Sequence, residues 1–275
     1  MAGGIIIDGV NMQTSYGLYV RGASVRAGLP DIRTSTFDLG QQHGARVYGK
    51  YFKPRYYNLE LAIVNKTQDT LMQAFDAIKT AMDPRNGVKL WIFDEDQDGI
   101  GATRDRGVYA MVHGPFNEVR LSTGNTFQAN LIVPSGVTVA TSATVQTLTI
   151  STTPETFYAP AASGSTVNGN MEARPVWVIK NTSGSSSACW LKNITRDENM
   201  YISTIANGEW IQIDTDKEWV RSSDDSGATW THCETRLSSL SGLEFPLLTA
   251  GVQNEIQTTT LDTGSVVATY RARWL

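Results

Sequence analysis

Hydrophobic and polar residues alternate along many short stretches of this chain, which is the pattern of β-strands with one buried face. The longest example lies near the carboxyl terminus, where apolar or aromatic residues fill every second position: Val266, Ala268, Tyr270, Ala272 and Trp274. Most residues between them are polar or charged, so one face is predicted to pack in a core and the other to meet water. We expect a strand that runs to the end of the chain.

Similar short strands are predicted in both halves of the chain, separated by turn-forming residues. In the first half they cover residues 57–63, 88–93, 107–112 and 127–133. In the second half they recur at 145–150, 174–180, 188–194, 201–205, 209–214 and 253–260. Regularly spaced short strands without a helical period indicate a β-sandwich in the second half.

The segment 67–82 has helical spacing instead, with four apolar residues along one stripe: Leu71, Phe75, Ile78 and Met82. Thr67 is a suitable N-cap residue, and Asp69 lies in the first turn, where the helix dipole favours negative charge. The Asp-Pro pair after Met82 ends the pattern. We therefore predict one helix packed across a sheet.

The helical period occurs only in the first half of the chain, whereas the strand period occurs in both halves, and this difference predicts two domains. Residues 1–134 carry strands and the helix, which predicts an α+β domain. Residues 135–144 are poor in charge and in large apolar side chains, so they are interpreted as a linker. Residues 145–275 form a predicted all-β domain, and the fold class is mainly β.

Composition narrows the functional classes. Charged residues make up 18% of the chain and the net charge is −4, which argues against the basic face that nucleic-acid binding requires. No stretch approaches the roughly 20 apolar residues of a membrane span, and the amino terminus has no secretion signal. We expect a protein made in the cytosol, in which Cys189 and Cys233 are buried thiols; a disulfide between them is the alternative.

An acidic run is the candidate metal site. Asp94, Asp96, Asp98 and Gly99 match the opening of a calcium-binding loop, and the twelfth position is Asp105. The run lies between two predicted strands, whereas a calcium-binding loop of this kind joins two helices. The alternatives are a weak site for a hard cation and a solvated acidic turn.

The segment 223–230 fits the pattern S-x-D-x-G-x-T-W of the Asp-box. Asp225 is expected to accept hydrogen bonds from turn amides, Gly227 to take a positive φ, and Trp230 to anchor the hairpin. Trp219 and Trp230 are candidate contacts for a glycan, because indole rings stack on sugars. The alternative is that these tryptophans only fill the core of the sandwich.

Nothing in the sequence combines a nucleophile, a base and an orienting group at a recognisable spacing, so no catalytic residue and no cofactor are assigned. The prediction is a binding or structural protein and not an enzyme. A glycan hydrolase that uses the Asp-box domain is kept as the weakest alternative.

The order of several motifs resembles the distal tail proteins of long-tailed, non-contractile bacteriophages. The resemblance covers nearly the whole chain and rests on segments 7–10, 16–18, 38–45, 51–55 and 88–94 in the first half. In the second half it rests on segments 169–175, 247–256 and 270–274, the last with the sequence Tyr-Arg-Ala-Arg-Trp. The segment 135–165 departs from the family pattern.

This resemblance implies a homohexameric ring formed by the first domain, with a galectin-like β-sandwich as the outward second domain. Such a ring joins the tail tube protein on one face to the tail-tip hub on the other. It implies a location in the virion, at the tail tip, after assembly in the host cytoplasm. The outer domain is expected to carry a receptor-binding protein or, as the alternative function, to contact a host-wall glycan.

Overall fold

The computed structural model describes residues 3–25, 32–38, 45–64, 68–93, 106–114, 117–121, 124–151, 154–237, 244–259, 261 and 263–274. The chain divides into two compact units, residues 1–141 with residue 275, and residues 142–274. Each unit has its own hydrophobic core. Strands dominate both units, which confirms the predicted mainly β fold.

The first unit contains the strands β1 (Gly3–Ile7), β2 (Val10–Asn11), β3 (Leu18–Val25), β4 (Ile32–Asp38), β5 (Ala45–Phe52), β6 (Arg55–Ile63), β7 (Lys89–Phe93), β8 (Arg106–Val112), β9 (Asn117–Leu121), β10 (Gly124–Val133) and β11 (Thr138–Ala140). Its helices are α1 (Met12–Tyr16) and α2 (Gln68–Ala81). The one-turn helix α1 is additional to the predicted one. The Asn11 side chain caps its start, and Gly17 ends it with a φ of 69°.

Six strands of this unit close into a barrel in the order β8, β7, β1, β3, β6 and β10. The barrel closes where β10 pairs with β8, with Leu131 opposite Val112 and Ile132 opposite Met111. β9 extends the sheet beside β10, and β11 pairs with the other end of β8. β4 and β5 form a separate hairpin.

The barrel interior is filled by the inward residues of its strands. On β6 these are Tyr57, Leu59, Leu61 and Ile63, as the period of two predicts. Trp91 is 1% exposed, and its indole Nε1 donates to the Ala110 carbonyl oxygen at 3.0 Å.

Helix α2 packs against this core through the stripe seen in the sequence. Phe75, Ile78 and Met82 are buried, and Phe75 meets the ring of Phe127 edge-on at 5.5 Å. The proposed N-cap residue Thr67 lies outside the described residues. The helical period therefore marks the face that α2 buries, since only one side of the helix can reach the barrel.

The second unit contains the strands β12 (Thr144–Ile150), β13 (Glu155–Ala159), β14 (Val176–Asn181), β15 (Ser187–Asn193), β16 (Glu198–Ile205), β17 (Trp210–Asp214), β18 (Trp219–Ser223), β19 (Thr231–His232), β20 (Asn254–Thr259), β21 (Gly264–Tyr270) and β22 (Arg273–Trp274). One sheet has six strands in the order β12-β21-β14-β17-β18-β19. The other has four in the order β13-β20-β15-β16. The inward side chains of both sheets form the second core, as in a β-sandwich.

Near the carboxyl terminus the predicted alternation is seen in the burial, because Val266, Ala268 and Tyr270 are buried. The strand does not continue unbroken, however: β21 ends at Tyr270 and β22 resumes at Arg273. Arg273 instead makes bridge contacts with Gly169 and Met171. A Cβ on Gly169 would lie 2.3 Å from the Arg273 carbonyl oxygen, so this close approach requires glycine.

The predicted linker 135–144 is not an extended connector throughout. It contains β11, whose residues Thr138 and Val139 pair with Val108 and Gly107 of β8. Val137 and Val139 are buried, so this part of the segment belongs to the folded first unit. Thr138, Val139 and Ala140 suffice for such a short strand, and three residues are too few to give a visible alternation in the sequence. Among the described residues, no helix is long and apolar enough to cross a lipid bilayer.

Candidate functional site

The candidate metal ligands Asp94, Asp96 and Asp98 lie outside the described residues. Within the described ranges, no group of three histidine, cysteine, aspartate or glutamate side chains is placed to hold a metal ion. Cys189 and Cys233 are free and buried, as expected from the sequence. Burial raises the pKa of the Cys189 thiol to about 12 and also raises the pKa of Cys233, so neither resembles an activated nucleophile.

The Asp-box forms a hairpin tied together by Asp225. Its carboxylate accepts hydrogen bonds from the Thr229 amide at 2.9 Å, the Thr229 hydroxyl at 2.5 Å and the Ser223 hydroxyl at 2.7 Å. The Gly227 amide donates to Ser223 Oγ at 2.8 Å, and Gly227 has a φ of 90°. These contacts confirm the predicted hairpin and occupy both oxygens of the carboxylate.

Hydrogen bonds from Ser223 and Thr229 hold the pKa of Asp225 well below its usual range. A carboxyl with a lowered pKa stabilises the hairpin above its unfolded-state pKa of 3.8, and this contribution is lost as the pH falls toward the folded-state pKa. We therefore expect the Thr229 amide to be less protected from hydrogen exchange in Asp225→Asn than in the wild type at neutral pH. Below about pH 4 the wild type is expected to lose protection, and the variant to change less. Hydrogen exchange measures this, with Asp224→Asn as the control for the charge change. Equal protection in both variants would contradict the assignment.

Trp219 lies on β18 at the outward surface of the six-stranded sheet, and it is half-buried. The Arg221 guanidinium carbon lies 4.1 Å from the centre of its ring, and the His232 ring lies edge-on at 6.2 Å. Lys217 Nζ is 5.6 Å from the same ring. Trp219 therefore sits beneath cationic side chains and does not fill the core.

A second indole on the same surface has a similar arrangement. Trp210 on β17 has Lys180 Nζ at 5.3 Å from its ring centre. The strand register places Lys180 opposite Trp210 and Gln212 opposite Arg221. These side chains share one side of three adjacent strands, and we call the following set the indole face: Lys180, Trp210, Gln212, Trp219 and Arg221.

Trp230 occupies a different position from Trp219. A Cβ on Gly227 would lie 3.2 Å from the Trp230 ring and 3.7 Å from the Trp210 ring, so both rings flank the Asp-box turn. Trp230 therefore anchors the hairpin beside the indole face. The sequence analysis did not identify Lys180, Trp210, Gln212 and Arg221. The alternation along each strand could have revealed them, because each occupies a position that alternates with the apolar, core-facing residues.

The outer wall of the barrel carries a contiguous apolar surface. Tyr56 is 53% exposed, Val88 46% and Tyr109 37%. Half-buried neighbours lie between them. Ile132 pairs with both Tyr56 and Met111. Leu90 pairs with Tyr109, and Val88 precedes Leu90 by two residues. We call this surface the barrel belt: Tyr56, Val88, Leu90, Tyr109, Met111 and Ile132. Exposed apolar side chains grouped in this way are typical of surfaces that contact other proteins.

Comparison with known proteins gives matches among solved structures. No protein-family model and no curated protein sequence matches this chain. The fold matches that of the phage SPP1 Dit protein with a TM-score of 0.62 and 11% identity, over 99% of each chain. That protein is described as a paradigm of the hub adsorption apparatus in phages that infect Gram-positive bacteria.

A chain of the phage P2 baseplate, in its activated conformation with calcium, matches with a TM-score of 0.57 and 9% identity, over 99% of this chain and 98% of that one. A chain of the same baseplate, in its activated conformation with strontium, matches with a TM-score of 0.56 and 8% identity, over 98% of this chain and 97% of that one. Each match covers both units of this chain, so the similarity is not limited to one of them. This chain therefore has the fold of the phage Dit and baseplate proteins, which confirms at the level of the fold the resemblance seen in its sequence.

Proposed function

We propose that this protein is a structural component of a phage tail tip, a hexameric ring adaptor between the tail tube and the tail-tip hub. The observation that carries the proposal is the match to SPP1 Dit over 99% of both chains. A match of this extent means that both units occur in the same order along the two chains. The protein would be located in the virion, after assembly in the host cytoplasm, and the second unit would be available to outer partners such as a receptor-binding protein.

The barrel belt supports a role in assembly. Its exposed side chains are apolar or aromatic, and the depletion of charge resembles the centre of a permanent protein–protein interface. A ring of identical subunits covers such a surface on every copy, because each subunit meets a neighbour on both sides. Assembly would therefore remove this surface from water.

The structure also supports a non-enzymatic role for the Asp-box. Both oxygens of Asp225 accept hydrogen bonds within the turn, and its lowered pKa disfavours the protonated form that a general acid needs. We expect no turnover of sialosides or wall polymers.

The adaptor proposal predicts a mass of six copies of the 30.1-kDa chain, alone or with the tail tube protein, by light scattering after size exclusion. Tyr56→Glu places a charge in the barrel belt and is expected to reduce the assembly to smaller species. Tyr158→Glu is the matched control, because Tyr158 is 47% exposed but lies on β13 of the other unit.

A chain that stays monomeric and binds neither tube nor hub protein would overturn the proposal. Equal loss of assembly in both tyrosine variants would leave the adaptor role standing and remove the barrel belt from it.

A further inference from the structure

The indole face has cations without acidic partners. Within the described parts of the chain, neither Lys180 nor Arg221 forms an ion pair with a carboxylate. Other basic residues of the same unit do so: Arg174, Lys192, Arg196, Lys217 and Arg236. Lys180 on β14 and Arg221 on β18 lie on either side of β17, and together these unpaired cations form a local positive surface on a chain whose net charge is −4.

Several polar groups on the same face also lack hydrogen-bond partners among the described residues. The Gln212 side chain, which carries two donors and an acceptor oxygen, makes no hydrogen bond with the described residues. Trp210 Nε1 and Arg221 Nε are shielded and have no partner. Unsatisfied polar groups in such a cluster call for an explanation, since most shielded groups in folded proteins are paired.

Apolar side chains complete the face. Val178 lies opposite Gln212 on β14 and is half-buried, and Val267 lies opposite Val178 on β21. The surface thus alternates indole, amide, cation and aliphatic groups across neighbouring strands. A saccharide that carries anionic groups offers complementary chemistry, with hydroxyl groups for the amide and C–H groups for the aliphatic side chains.

Two carboxylates beside this face already have partners of their own. Asp214, opposite Trp219, accepts hydrogen bonds from the Asp216 and Lys217 amides at 3.0 Å. Glu234 pairs with His232 Nδ1 at 2.6 Å at the rim. Neither carboxylate therefore neutralises Lys180 or Arg221.

We propose that the indole face binds an acidic saccharide, a polymer whose sugar units carry carboxylate or phosphate groups. Lys180 and Arg221 receive the anionic groups, Gln212 exchanges hydrogen bonds with hydroxyls, and the Trp210 and Trp219 rings hold the two cations at the surface through cation–π contacts. The site lies within the second unit, so this function goes beyond ring assembly and does not depend on it.

The test measures binding of the full-length protein to polygalacturonate, phosphomannan and neutral dextran by isothermal titration calorimetry. We expect binding to at least one acidic polymer and none to dextran. The double variant Lys180→Gln/Arg221→Gln is expected to lose at least tenfold in affinity, and added salt to weaken binding by the wild type. Lys192→Gln is the control, because Lys192 lies on the other sheet and pairs with Asp197 at 3.1 Å.

Retained affinity in the double variant, equal binding to dextran, or no binding to either acidic polymer would each overturn the proposal. Circular dichroism verifies that the variants remain folded. The mass of the assembly is measured on the same samples, so that failure of saccharide binding is distinguished from failure of the adaptor role.

Discussion

Gly264→Ala is expected to destabilise the second unit by about 3 kcal/mol or more, because no space exists for a methyl group. A Cβ at this position would lie 2.1 Å from the Lys180 carbonyl oxygen and 3.1 Å from the Leu261 side chain. Gly264 is paired on both sides, with Ile150 of β12 and Asn181 of β14. The clash is with backbone, so relief requires two central strands to separate.

Urea unfolding followed by tryptophan fluorescence measures this loss. Gly208→Ala is the matched control, because Gly208 has a φ of 83° and nothing lies within 4 Å of its Cβ position. The control carries only conformational strain, about 1 kcal/mol. A Gly264→Ala protein as stable as the control would show that the strands can part at little cost.

Trp91→Ala is expected to lower the stability of the barrel by about 3–5 kcal/mol. The residue is 1% exposed, and its Nε1 donates to the Ala110 carbonyl oxygen at 3.0 Å. Truncation leaves a cavity inside a closed barrel, whose strands are paired on both sides and cannot collapse to fill it. Trp91→Phe keeps much of the ring but loses the hydrogen bond, so a smaller loss of about 1–2 kcal/mol is expected.

Hydrogen exchange measures both losses, because the β8 and β10 amides report on Trp91 and the β15 and β16 amides report on the control in the second unit. Trp190→Ala is the control, because Trp190 is half-buried on an outer surface, where its ring contacts Tyr201 at 4.6 Å. We expect a loss of about 1 kcal/mol there. Similar losses for Trp91→Ala and Trp190→Ala would contradict the view that Trp91 is central to the core.

Elements with a strong period were predictable from the sequence. β6, β10 and β21 carry alternating apolar residues because one side of each strand is buried, and α2 carries a stripe because one side faces the barrel. Elements held by tertiary contacts were not. Helix α1 has only five residues, too few to show a period, and its Met12 is buried in the first core, while β11 depends on its partner β8.

The candidate site could be predicted only in part. Trp219 was singled out as a tryptophan, but its relation to Lys180 and Gln212 depends on which strands are neighbours. β14 and β17 are about thirty residues apart in sequence, and a register of pairing cannot be read from one chain. The Asp-box was predictable in detail because all its hydrogen bonds are local.

The pleat of β14, β17 and β18 has a further consequence for how this protein can diverge. Ile179, Ile211 and Val220 point into the sandwich, and the next residue along each strand points to the outer surface. Outward positions can therefore accept new chemistry while the inward ones keep the scaffold unchanged. Substitutions that change the outward surface would therefore accumulate at every other codon of these strands.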